Sequence, residues 1–169
     1  MSEHAFWITS RAAGIIALLV SSLAVAVGLS RRGKNWRIVH ESLSLATMVA
    51  LAVHALSLLG DTYLKPSLAD VTIPLVSSYE RVWMSVGIVA GWAFVILGLS
   101  YYVRARIGVQ RWRVLHRFTA LAWVLGIAHA LMMGTDAGAA WFLLAAVLFV
   151  VPAGALLVRR LTPTTPVPA

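Results

Sequence analysis

Two stretches of this chain carry the residues that can do chemistry. Trp36-Arg37-Ile38-Val39-His40 leads through an apolar run to His54-Ala55-Leu56, and Trp112-Arg113-Val114-Leu115-His116 leads through a second run to His129-Ala130-Leu131. The paired histidines stand 14 residues apart in the first copy and 13 in the second, and an aspartate, Asp61 or Asp136, follows each second histidine by seven residues. Four of the five histidines thus belong to an internal repeat, inside hydrophobic segments where an uncompensated polar side chain is costly. A single such histidine is ordinarily a helix-to-helix hydrogen-bonding or proton-path residue; four in a repeated frame point to ligands. His4 has no counterpart and is expected to be solvated.

The elements that must position these residues follow from composition. The chain of 169 residues is 60% hydrophobic and 12% charged, with mean hydropathy +0.86, which places it among polytopic membrane proteins rather than soluble domains. Its net charge of +8 comes from short clusters between apolar runs, where orientation in a bilayer explains it and a nucleic-acid partner is not implied. Without cysteine there is neither a disulfide nor a thiolate ligand, so electron chemistry requires a bound cofactor.

Five runs reach the roughly 20 residues a bilayer crossing takes: about 5–29, 36–60, 79–103, 112–134 and 139–159. The first is read as a retained helix rather than a signal peptide. The fold expected is an all-α polytopic membrane bundle of two repeated helical hairpins plus a C-terminal helix. Residues 1–160 form one transmembrane domain, and 161–169 a disordered, Pro-rich tail with Pro163, Pro166 and Pro168. Arg31, Arg32, Lys34, Arg37, Arg104, Arg106, Arg111, Arg113, Arg117, Arg159 and Arg160 share one side, whereas Glu3, Asp61, Asp70, Glu80 and Asp136 fall on the other. The positive-inside rule then predicts a multi-pass plasma-membrane protein, N-terminus outside and C-terminus cytoplasmic. The link 61–78, with Pro66 and Pro74, is expected to be irregular or at most partly helical. Trp7, Trp36, Trp83, Trp112 and Trp141 lie near helix ends, as interface anchors do.

Gly28-Leu29-Ser30 matches Gly98-Leu99-Ser100, so each half is a hairpin whose second helix carries two histidines. The two histidine helices run parallel about a pseudo-twofold axis, placing His40 opposite His116 and His54 opposite His129. Thirteen or 14 steps of about 1.5 Å separate the two levels by roughly 20 Å, too far for one metal ion and suited to two stacked macrocycles, each with one axial imidazole from each helix. Haem with both axial positions filled favours one-electron transfer. On an ideal helix 14 steps fall about 40° short of four turns and 13 steps about 140° short, so His116 and His129 need a local adjustment, for which Gly126 is the candidate. Arg37, Arg113 and Arg117, within a turn of His40 or His116, are candidates for haem propionates as well as topology determinants. Arg11, inside the first helix, is a candidate for the outer propionates or for snorkelling. Trp123 falls between the two histidine levels, for packing between macrocycles or between helices.

With these residues in view, the chain resembles the ferric-reductase-like transmembrane domain superfamily, which includes ferric reductases, NADPH oxidases and the haem-binding membrane subunit of a bacterial methionine sulfoxide reductase system. The resemblance spans about residues 7–160. It rests on the histidine spacings of 14 and 13 and on Ser10-Arg11-Ala12-Ala13-Gly14 at the start of helix one. It implies two b-type haems, an inner one on His40 and His116 and an outer one on His54 and His129, passing electrons outward to an external acceptor. Members commonly have six helices, against five expected here, and the chain has no dinucleotide-binding glycine motif. Electrons would arrive from a separate cytoplasmic reductase, a bound flavin or the quinone pool. Other readings are a single-haem or quinol-linked subunit of a separate reductase, and a non-enzymatic haem-binding sensor or scaffold.

Overall fold

The computed structural model of the chain describes residues 4–162. All regular structure among them is helical: α1 Ala5–Ser30, α2 Trp36–Leu58, α3 Leu68–Thr72, α4 Arg81–Leu99, a 3-10 segment Ser100–Val103, α5 Arg104–Ile107, α6 Val109–His116, α7 Thr119–Met133 and α8 Ala140–Leu161. α4 to α5 and α6 to α7 each act as one crossing, so five spans are long and apolar enough to cross a membrane. Of the tail expected over 161–169, Leu161 closes α8, and 163–169 lie outside the described residues.

The packing is that of a lipid-facing bundle. Small and hydroxyl side chains are buried, among them Ser10, Ala13, Ala17, Ser21, Ser22 and Ala24 along α1, while large apolar ones such as Ile16, Val49, Leu56, Val89, Ile96 and Leu148 point outward. A small-residue face lets backbones approach closely where lipid offers no hydrophobic drive between helices. Ser21 and Ser22 return their hydroxyls to the Leu18 carbonyl, at 3.0 and 2.7 Å, so neither is left unpaired in an apolar interior. α1 is the central helix, packed on α2, α7 and α8, and α4 packs on α7. α2 and α7, the two histidine helices, scarcely approach one another.

Turn chemistry sets the ends. Arg31 leaves α1 in the left-handed region (φ 48°) and Gly33 follows at φ 86°, turning the chain into α2. Asp61 is buried and accepts from the backbone N–H of Tyr63 and Leu64 at 2.7 and 3.1 Å, closing the turn after α2. The 61–78 link is partly helical: α3 is held by a capping box between Ser67 and Asp70 and tied to α4 by Trp92 Nε1–H donating to the Thr72 carbonyl at 2.8 Å. The third crossing runs to Ile107 and the fourth begins at Val109, beyond the boundaries expected from hydropathy. Gly108, at φ 91°, makes the whole reversal, a backbone that only glycine adopts without strain. Arg160 donates to the Leu29 carbonyl, placing the end of α8 beside the end of α1 and the basic links at one end of the bundle.

Candidate functional site

Three of the four repeat histidines are held from behind, each by the first helix of its own hairpin. His54 Nδ1 lies 2.8 Å from the Ser10 carbonyl, His40 Nδ1 2.9 Å from the Ala24 carbonyl and His129 Nδ1 2.8 Å from the Trp83 carbonyl. A carbonyl can only accept, so Nδ1 carries the hydrogen in all three rings and the lone pair is on Nε2, on the side away from the supporting helix. Ser10 Oγ adds a contact 3.1 Å from His54 Nδ1 and donates to the His54 carbonyl at 3.0 Å.

Glycine makes these approaches possible. In each case the residue four places after the accepting carbonyl is glycine: Gly14 after Ser10, Gly28 after Ala24, Gly87 after Trp83. A Cβ on Gly14 would stand 3.0 Å from His54, one on Gly28 2.9 Å from His40 and one on Gly87 2.5 Å from His129. Gly98, matched to Gly28 in the repeat, instead lies under the Met48 methyl, where a Cβ would come to 2.5 Å, so α2 rests on α4 between the two histidine levels.

The rings meet in the predicted pairs. His40 and His116 face each other at 6.0 Å between centroids with planes at 85°, and His54 and His129 at 6.4 Å and 77°. Two imidazoles on opposite sides of one metal, with N–metal bonds of about 2.0 Å and a nitrogen about 1.1 Å from each ring centre, stand about 6 Å apart. Both pairs match that separation. Among the described residues no cluster of three or more His, Asp or Glu could hold a metal ion by itself, and each facing pair offers two imidazoles. The residues fit haem.

Part of the 13-residue mismatch is taken up at residues 117–120, while Gly126, the expected point of adjustment, lies within regular α7. Arg117, Phe118 and Ala120 donate to Val114, Leu115 and Arg117, three residues back instead of four. Each overwound 3-10 residue turns about 20° further than an α-helical one, carrying His129 back toward the face of His116.

The neighbouring candidates divide. Arg11 makes a two-pronged ion pair with buried Asp136 through Nε and Nη2, and its guanidinium lies 5.0 Å from the Trp7 ring. It therefore clasps α1 to the α7–α8 link, and its charge is answered by the second of the repeated aspartates. Arg37, Arg113 and Arg117 are exposed at the basic end, and no ion pair other than Arg11–Asp136 occurs among the described residues. Trp123 is a packing residue: it is 2% exposed, donates Nε1–H to Ser22 Oγ at 3.0 Å and packs toward Gly154. His4 is exposed. Trp112 is more than an end anchor, since its ring stacks on His116 at 5.0 Å and 27°. Tyr102 and Glu41, absent from the sequence reading, join the halves at the basic end through a 2.8 Å hydrogen bond.

Fold and site together define a five-helix membrane bundle with two facing imidazole pairs. Compared with protein-family models, with curated proteins and with solved structures, the chain matches none.

Proposed function

We propose that this protein is a transmembrane b-type cytochrome of the ferric-reductase-like kind, holding two haems and passing single electrons from a cytoplasmic or membrane donor to an acceptor on the outer face. The observation that carries the reading is the pair of ring separations, 6.0 and 6.4 Å, each the span of two axial imidazoles on one iron. Bound haem supplies a one-electron couple at two levels of the membrane. The chain's own part is to present Nε2 lone pairs in a fixed tautomer, to keep both sites in a low-dielectric interior and to close the axial positions to other ligands. At the basic end Arg37, Arg113 and Arg117 are free to meet propionates of the His40/His116 haem. The positive-inside rule assigns that end to the cytoplasm, with the N-terminus outside, in the plasma membrane. Electrons then arrive there from a separate reductase, a bound flavin or the quinol pool.

A reduced-minus-oxidised spectrum with haem quantified per chain tests this reading. Two low-spin b-type haems are expected, and His54→Ala or His129→Ala removes one while the other remains. Folded, haem-supplied protein without a Soret band would sink the proposal, as would a histidine variant that kept its full complement.

A further inference from the structure

The link between α2 and α4 is tied to α4 well below the end of that helix. Trp92, whose indole N–H donates to the Thr72 carbonyl at 2.8 Å, stands eleven residues after Arg81, about 16 Å along the helix axis. An indole leaning toward the helix N-terminus recovers at most about 6 Å of that. With the length of the hydrogen bond added, the Thr72 carbonyl still lies at least about 7 Å below Arg81. Leu75 N–H donates at 2.7 Å to Oγ of Ser85, a residue about 6 Å below Arg81. Arg81 marks the membrane face at this end: it and Arg104, at the basic end of the same crossing, stand roughly 35 Å apart and bracket a hydrocarbon core of about 30 Å. The chain therefore descends between Asp61 and Thr72 and climbs back to Glu80.

Non-helical backbone at such a depth must find its hydrogen bonds within the protein. At the lowest point it does. Ile73 N–H donates to the Ala69 carbonyl at 2.9 Å, Pro74 has no N–H, Leu75 N–H is met by Ser85, and the Thr72 carbonyl is met by Trp92. The side chains agree with the backbone. Between Asp70 and Ser77 the run Val71-Thr72-Ile73-Pro74-Leu75-Val76 carries no charge, and the Thr72 hydroxyl is returned to the Leu68 carbonyl at 2.6 Å. Ile73, Leu75 and Val76 are exposed, an apolar surface that is costly in water and ordinary in lipid. Lys65 and Asp70 stand on one side of the run, Glu80 and Arg81 on the other. Pro74 and Leu75 line an apolar groove with Val82, Val86 and Val89 of α4 and Leu125 of α7, at the level of the Trp83 carbonyl that holds His129.

We propose that residues 71–76 form a re-entrant strap, anchored by Trp92 and Ser85, that lies in the hydrocarbon of the leaflet remote from the basic links, and that the partner of its apolar face is lipid acyl chain. The strap covers the seam of α4 and α7 beside His129, so it lines the membrane side of that histidine level. The inference concerns the bilayer and is independent of haem.

The chain has no cysteine, so a single introduced one is a unique attachment point for a nitroxide spin label. Ile73→Cys and Val76→Cys probe the strap at exposed positions. Val49→Cys, in the outward-facing middle of α2, is the hydrocarbon reference, and Tyr63→Cys, at an almost fully exposed site, the aqueous one. EPR of the labelled full chain in lipid vesicles reads collisions with oxygen, which concentrates in hydrocarbon, and with a water-soluble nickel chelate, which does not. The oxygen-to-nickel ratio at Ile73 and Val76 is expected to exceed that at Tyr63 severalfold and to approach that at Val49. Trp92→Phe removes the indole N–H and keeps a ring; it is expected to lower the ratio at Ile73 while the Val49 ratio, unchanged, certifies the fold. The inference is overturned if Ile73 and Val76 give the Tyr63 ratio, or if both probes are excluded from them, which would make protein rather than lipid the occupant. A ratio at Ile73 that ignores Trp92→Phe overturns the anchoring. These outcomes are the same with or without haem, so they stand apart from the fate of the dihaem reading.

Discussion

Gly87→Ala isolates the close approach on which the His54/His129 pair depends. The added Cβ would stand 2.5 Å from both Nδ1 and Cε1 of His129, where ordinary contact begins at 3.4 Å, so the ring must retreat by about 1 Å. Nδ1 is bound to the Trp83 carbonyl at 2.8 Å, so the ring can retreat only by stretching that bond, into the gap it shares with His54. Three effects compete. Alanine gains about 1 kcal/mol over glycine in helix propensity. Overpacking costs about 1–3 kcal/mol. Separating the buried Nδ1–H from its carbonyl costs about 1–3 kcal/mol more. The net is a loss of roughly 1–5 kcal/mol, whichever way the ring moves. Gly91→Ala is the matched control, because nothing lies within 4 Å of its Cβ position, and it should be neutral or slightly stabilising. Unfolding of both variants in the same detergent, with haem content per chain, gives the answer. If Gly87→Ala is as stable as Gly91→Ala and binds as much haem as wild type, His129 is not held against α4 and the site geometry derived above is wrong.

Three further perturbations separate the parts of the bundle. Asp136→Asn breaks the Arg11 clasp; loss of a partner from a buried pair costs about 3–5 kcal/mol, and the 36% exposure of Arg11 lets water answer part of its charge, so about 1–3 kcal/mol is expected. Arg11→Met in the same chain should recover much of that loss, and strictly additive unfolding energies would show that the two groups are not coupled. Ser22→Ala leaves the Trp123 indole N–H unpaired in the core at a cost of about 1–3 kcal/mol, while haem spectra should stay at wild type; a spectral change would return Trp123 to the haem environment. Asp70 accepts from the Ser67 hydroxyl and from the Ser67 N–H, which hold its carboxyl below the ordinary aspartate value, the hydroxyl contributing most. Because the folded value is the lower one, the α3 cap is at full strength above the ordinary aspartate pKa and is lost as pH falls through the depressed value. The protection factor of the Ser67 amide, its exchange rate relative to an unprotected amide at the same pH, should therefore fall in acid in wild type, and a pH response unaltered by Asp70→Asn would refute the assignment.

What the sequence could carry and what it could not divide along a physical line. Spans, repeat and histidine pairing follow from side-chain types at fixed spacing, and His40 with His116 and His54 with His129 meet as that spacing implies. The supports behind the rings are backbone carbonyls, which every residue has, so no side chain marks Ser10, Ala24 or Trp83 as an acceptor. Their trace is glycine four residues later, visible at Gly14, Gly28 and Gly87 only once it is known that an imidazole must pass that point. The same logic explains why the Gly-Leu-Ser match misleads. Gly28 clears a path to a carbonyl for His40, whereas Gly98 clears one for the Met48 side chain. Arg11 stands out in the sequence as a charge inside an apolar helix and Asp136 as one of the two repeated aspartates, but they lie 125 residues apart in the chain. Their pairing needs α1 to lie against α7, a fact of packing rather than of period. The odd spacing of 13 is likewise met in part by hydrogen-bond register: Arg117, Phe118 and Ala120 bond three residues back, which at about 20° each recovers about 60° of the roughly 140° shortfall.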